Sequence, residues 1–291
     1  MKLFAFGLGY CARYFIAHSQ GVFESVAGTV RESGKTDALA GENIEAFVFG
    51  PEHEDPAIAD RVASADVILV SIPPGISSDP VLARYGHRIA HLPRKQKIIY
   101  LSTIGVYGDR RGEWVDETTV PVPGTARGIA RLQVEKAWAA IGQESGKAVY
   151  ILRLAGIYGP GRNVLLDLKA GTARRIAKRG QIFNRIHVED ISRAIRAAAL
   201  GYEGGGDIFN VNDDAPAPPQ DVIAFAAMLM GIEPPPEEPF ESADLSPLAR
   251  SFYSENRRVS NRKMKDRLGV KLAYPTYRVG LEALWEAGEG R

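Results

Sequence analysis

The sequence predicts a doubly wound α/β fold, a parallel sheet of about seven strands with helices on both faces, followed by a smaller and mostly helical C-terminal lobe. Three observations predict it. Seven short apolar runs recur through residues 3–211, segments with helical spacing separate them, and a glycine-rich turn follows the first run directly.

The runs are LFAF (3–6), SVAGTV (25–30), EAFVF (45–49), DVILVSI (66–72), KIIYLS (97–102), AVYILRL (148–154) and DIFNV (207–211). Their apolar residues are nearly continuous rather than alternating, the pattern of strands covered on both faces. Segments 11–19, 81–92 and 129–141 space their apolar residues at three and four, so the strands are joined by helices in right-handed crossovers, which makes the sheet parallel. After Asp213 the composition changes: APAPPQ precedes the apolar helical stretch DVIAFAAMLMG, and the proline-rich EPPPEEPFES follows. Such punctuation marks loops around an appended lobe. The division it predicts is a sheet domain of residues 1–165 plus 184–212 and a second lobe of 166–183 plus 213–291.

With 291 residues, 45% of them hydrophobic and 24% charged, the chain can bury a substantial core. Lys and Arg number 36 against 35 Asp and Glu, so no net field draws it to nucleic acid or an anionic membrane, and a small molecule is the expected partner. The single cysteine, Cys11, excludes an internal disulfide and a cysteine-rich metal site, so a reducing, cytoplasmic setting and no metal are expected. No run approaches the roughly 20 apolar residues that span a bilayer, and neither export signal nor anchor is expected.

Gly7, Gly9 and Ala12 form G-x-G-x-x-A between the first strand and the first helix. Gly7 permits the tight turn, Gly9 lets a pyrophosphate approach the backbone, and Ala12 keeps the helix close to the sheet. Tyr10 and Cys11 start that helix, where free N–H groups and the positive end of the dipole meet phosphate. A nicotinamide dinucleotide is the expected cofactor. An NAD site places an acid at the end of the second strand against the ribose 2′-hydroxyl, but here that place holds Arg31. Its guanidinium suits a 2′-phosphate, with Thr29 and Ser33 as helpers, so NADP is preferred over NAD. SIPPG at 71–75 closes the fourth strand, which puts Ser71, Ile72 and Pro73 along the adenosine half. Cys11 reads as a small packing residue rather than a reactive thiol.

Beyond the loop, LSTIGVYGD (101–109), RGIARLQVE (127–135), LRLAGIYGPGR (152–162), RIHVEDISRAI (185–195) and FNVNDDAP (209–216) follow in order. Together they resemble an extended short-chain dehydrogenase/reductase of the NAD-dependent epimerase/dehydratase type, and the tail RRVSNRKMKDRLGVKLAYPTYRVGL resembles that group too. The resemblance implies a Rossmann fold and a homodimer through the helices after strands four and five. It also implies Ser102 and Gly156 as contacts to the cofactor and Thr103 as the active-site hydroxyl. The family's Tyr-x-x-x-Lys pair falls on Arg127 and Arg131. A guanidinium stays protonated at any working pH, so Arg127 cannot exchange a proton, although Arg131 can still bind the nicotinamide ribose. This loss most resembles the atypical, YeeZ-like group.

The remaining proton donors are Tyr107, Tyr158, His187 and water, with Tyr107 and Thr103 as the candidate catalytic residues. For His187 the favoured reading is structural, with Asp190 capping the helix ISRAIRAAAL. Arg153, Arg162, Lys169, Arg174 and Arg175 form a basic succession that suits an anionic substrate such as a nucleotide sugar. Two functions stay open: a reductase, dehydrogenase or epimerase on a small or nucleotide-linked substrate, and a non-catalytic NADP(H)-binding sensor or scaffold.

Overall fold

The computed structural model describes residues 1–50, 53–76, 78–93, 95–201 and 204–291, the side chains of 35, 37 and 38 excepted. Seven strands form one parallel sheet: β1 (Lys2–Phe6), β2 (Ser25–Val30), β3 (Glu45–Val48), β4 (Val67–Val70), β5 (Lys97–Thr103), β6 (Ala148–Leu154) and β7 (Gly206–Val211). They are the seven apolar runs of the sequence, ordered β7-β6-β5-β4-β1-β2-β3. The winding reverses between β1 and β4, and a crevice opens beyond the carboxyl ends of the strands there.

Successive residues of each strand face opposite sides of the sheet. Leu3, Ala5, Leu69 and Ile99 belong to one buried cluster, whereas Phe4, Phe6, Ile68, Val70 and Ile98 belong to the other. Covering both faces is what makes the runs apolar throughout, and all four residues of β4 are buried. Helix α1 (Tyr10–Ala17) buries Ala12, Phe15 and Ile16 in the first cluster; α2 (Ala126–Ser145) buries Val134 and Trp138 in the second. Thr125 starts α2 by accepting from the Gly128 N–H, and left-handed Gly146 ends it.

Helix α3 (Val188–Arg196) corrects the expected cap. His187 has extended backbone and its Nδ1 accepts from the Glu189 N–H at 3.1 Å, which makes it the N-cap. Asp190 lies already inside the helix, where it cannot cap. Its buried carboxylate instead accepts the N–H groups of Ala273 and Tyr274 at 2.6 and 3.0 Å, tying the C-terminal segment to the sheet domain.

A separate core forms where α4 (Pro219–Met230), α5 (Tyr277–Glu286) and the helix Val164–Lys169 meet, around Tyr158, Leu165, Phe225, Leu281 and Leu284. The chain does not remain in that lobe after residue 213. Val259, Met264, Leu268 and Val270 are buried in the cluster that holds Leu3 and Ile99, so this stretch packs on the sheet domain. Its apolar residues are too few for composition to reveal that. No helix among the described residues is long and apolar enough to cross a membrane.

Candidate functional site

The glycine loop is built by its neighbours. Gly7 sits at φ +92°, and a Cβ there would lie 2.8 Å from Ile72 Cγ1, so only glycine lets the loop after β1 close against the loop after β4. The amides of Ser71 and Ile72 complete this junction by donating to the Phe6 carbonyl at 2.9 and 3.2 Å. Thr29, buried in β2, holds the turn: its hydroxyl accepts from the Gly7 N–H at 2.9 Å and its carbonyl from the Leu8 N–H at 2.8 Å. At 1% exposure, Thr29 lies beneath the turn rather than at the surface beside Arg31, away from a 2′-phosphate. Arg31, one residue past β2, is exposed.

Around the position a Gly9 Cβ would take, nothing lies within 4 Å, and α1 begins without a side-chain cap. The first-turn N–H groups are thereby open to an external acceptor, the arrangement that a pyrophosphate fits. Tyr10 links this loop to the next wall of the crevice, since its hydroxyl donates to the Pro160 carbonyl at 3.0 Å and Arg162 lies over its ring at 5.8 Å. Ala12 is fully buried. Cys11 is buried as well, and burial pushes its thiol up to about 11, so it packs as a small hydrophobe.

Beyond β4, β5 and β6 lies a cleft of about 1180 Å³. Pro73, Thr103, Arg131 and Gly156 converge on it, while Gly7, Gly9 and Arg31 lie outside its wall on the side of β2. Thr103 Oγ1 accepts from the Gly105 N–H at 3.1 Å, which leaves its O–H to donate elsewhere. Arg131 Nη1 donates to the Leu101 carbonyl at 2.7 Å and to the Tyr100 hydroxyl at 3.0 Å. Arg127 is exposed on the same wall.

Ser102 does not reach the cleft. It is buried and donates to Glu135 Oε1 at 2.5 Å, and Arg153 grips the same carboxylate with Nη2 at 2.7 Å and Nε at 3.1 Å. Arg153 also donates from Nη1 to the Tyr107 hydroxyl at 2.9 Å, which donates in turn to Asn210 Oδ1 at 2.8 Å. Tyr107 is fully buried in this network and burial raises its pKa, so it is withdrawn as a proton donor.

The other two expected donors fail similarly. Tyr158 lends its ring to the cleft, but its hydroxyl is buried against Gly280 and burial raises its pKa strongly. Burial lowers His187 to about 4, so the ring is neutral where its Nδ1 caps α3, rather than titrating near neutrality.

The basic succession also divides. Arg153 is bound to Glu135, Arg175 lies 3.2 Å from Glu237, and Lys169 is exposed at the end of its helix. Arg162 and Arg174 do line the cleft, although Arg174 is paired with Glu238. Arg185 and Arg257 join them, which sequence reading did not single out. For Arg185 the signal was present in the motif RIHVED; Arg257 arrives from a segment 72 positions later in the chain (257 − 185).

The sheet order, the turn at Gly7 and the cleft at the carboxyl ends define a Rossmann protein, and the chain belongs to the NAD-dependent epimerase/dehydratase family. Residues 83–212 match the model of that family. More particularly, the chain is 31% identical to protein YeeZ of Escherichia coli K12 over 222 residues, covering 72% of this chain and 77% of YeeZ. The structure of a functionally unknown conserved protein from Silicibacter pomeroyi superposes with a TM-score of 0.87 at 43% identity, over 99% of both chains. UDP-glucuronic acid 4-epimerase from Bacillus cereus, solved with NAD, shares the fold with a TM-score of 0.79 at 17% identity, over 100% of this chain and 99% of the epimerase.

Proposed function

We propose that the protein binds a nicotinamide dinucleotide, NADP(H) in preference to NAD(H), and acts as a reductase, dehydrogenase or epimerase on a small or nucleotide-linked substrate. The observation that carries this reading is the open backbone at Gly9 and the uncapped start of α1, joined through Tyr10 and Arg162 to a cleft that holds Thr103 and Arg131. When bound, the cofactor supplies hydride exchange. The chain's part is to hold the phosphates on the first turn of α1, to meet the 2′-phosphate with Arg31, and to reach the ribose with Arg131. Thr103 orients the reacting oxygen with its free O–H. With both arginines permanently protonated and Tyr107, Tyr158 and His187 buried, the proton comes from water.

Fluorescence titration and a reaction panel test this. NADPH is expected to bind more tightly than NADH, and Arg31→Ala to bring the two affinities together, because one charged hydrogen bond is typically worth about 1.5–3 kcal/mol. Equal wild-type affinities refute the argument from Arg31, and absence of binding refutes the whole reading. Carbonyl compounds and nucleotide sugars should then be followed both by NADPH absorbance and by product analysis, since an epimerase returns its hydride.

A second reading, a sensor or scaffold that binds the nucleotide without turnover, is favoured by the burial of all three expected proton donors. Tight NADPH binding without turnover of any panel compound supports it.

A further inference from the structure

We infer that the reacting corner of the cleft takes a substrate bearing its own anionic group, a carboxylate or phosphate, beside the carbon that exchanges hydride, and that Arg127 holds that group. This rests on the reading of the cleft as the reacting end of the nucleotide site. Arg127 is the second residue of α2 and Arg131 lies one turn on, with no acidic residue in the first turn. Both choices oppose ordinary helix electrostatics. The dipole makes a helix N-terminus unfavourable for cations, and like charges four residues apart repel.

The surrounding chain relieves this only at longer range, where Asp79 acts on Arg131 and Asp213 on Arg185. No carboxylate of a described residue lies within 4.0 Å of the guanidinium of Arg127, Arg131 or Arg185. The acceptors of Arg131 are neutral, a phenol and a carbonyl, and those of Arg185 Nη1 are the carbonyls of Phe183 and Ala217 at 3.1 and 3.2 Å. The position of Arg127 is nonetheless held closely. A Cβ on its neighbour Gly128 would lie 3.1 Å from the Gly105 carbonyl, so the first turn of α2 presses on the loop that follows Thr103. Four arginines with no carboxylate of a described residue within 4.0 Å, Arg127, Arg131, Arg162 and Arg185, therefore line one cleft with the hydroxyl assigned to the reacting oxygen, and an anion bound at Arg127 satisfies the guanidinium, the helix terminus and the repulsion together.

Calorimetric titration of the NADPH-saturated protein with malonate and, separately, with inorganic phosphate tests the assignment and tells carboxylate from phosphate. At least one probe is expected to bind, and R127Q to weaken it roughly ten-fold or more while NADPH affinity stays within about three-fold. R127K, which keeps the charge, should retain most of the affinity. Without any anion, R127Q should melt about 1–3 °C above wild type, because it removes the repulsion at the terminus of α2. If neither probe binds the wild type, or if R127Q binds as well as wild type, the inference is overturned. Repeating the titration without NADPH separates the two ideas: probe binding that still depends on Arg127 upholds the anion site even where the nucleotide fails to bind.

Discussion

Replacing Glu135 by leucine should unfold this protein more readily than almost any other single change in the sheet domain. Glu135 and Arg153 are 2% and 3% exposed, and the carboxylate accepts from Nε and Nη2 of Arg153 and from the Ser102 hydroxyl. Leucine would leave the guanidinium in the core with the Tyr107 oxygen as its one remaining partner at 2.9 Å. Breaking a buried pair from one side costs about 3–5 kcal/mol, and the stranded Ser102 hydroxyl adds about 1 kcal/mol. At roughly 2–4 °C per kcal/mol for a chain of this size, the melting temperature should fall by about 8–24 °C. Calorimetry or far-UV circular dichroism at neutral pH reads the change directly. Because the damage is the unpaired charge, Glu135→Leu with Arg153→Met should regain much of the loss, giving a favourable coupling of about 2 kcal/mol or more. A loss below about 1 kcal/mol for Glu135→Leu, or a double variant equal to the sum of its singles, would refute the reasoning.

Gly7→Ala should destabilise by about 1–3 kcal/mol and abolish nucleotide binding, since it forces a side chain into left-handed backbone and against Ile72; a variant with wild-type affinity and melting temperature contradicts this. Burial pushes the Asp213 carboxyl up to about 7, so the folded protein keeps a proton that the unfolded chain releases near pH 4. That contribution is complete below about pH 4 and is lost as pH rises toward 7, so Asp213→Asn should gain on wild type by on the order of 3 kcal/mol at pH 8 and by little at pH 4. Melting curves across that range check it, and parallel profiles for the two proteins count against it.

The sheet and the turn at Gly7 were legible because each rests on neighbouring residues. A strand buried on both faces must be apolar throughout, so the runs at 66–72 and 97–102 announce β4 and β5 within two residues. A turn needing φ +92° needs glycine, so the motif announces Gly7. That arginine stands at both positions where the resemblance expects Tyr and Lys is equally plain, because it follows from the identities of Arg127 and Arg131.

Only the tertiary structure decided which polar groups were already engaged. Ser102 and Arg153 read as site residues until Glu135 is placed between them, and Tyr107 reads as an acid until it meets Asn210, 103 positions away. Thr29 reads as a phosphate ligand until it is found buried beneath the turn at Gly7, and Asp190 as a cap until it takes two amides 83 and 84 positions downstream. Arg153 and Arg127 carry the same guanidinium, yet one is matched inside the core and the other faces the cleft. Apolar burial is additive along a segment and leaves a local pattern, whereas a hydrogen bond or ion pair depends on the one partner that the fold brings within about 3 Å, and sequence separation carries no record of it.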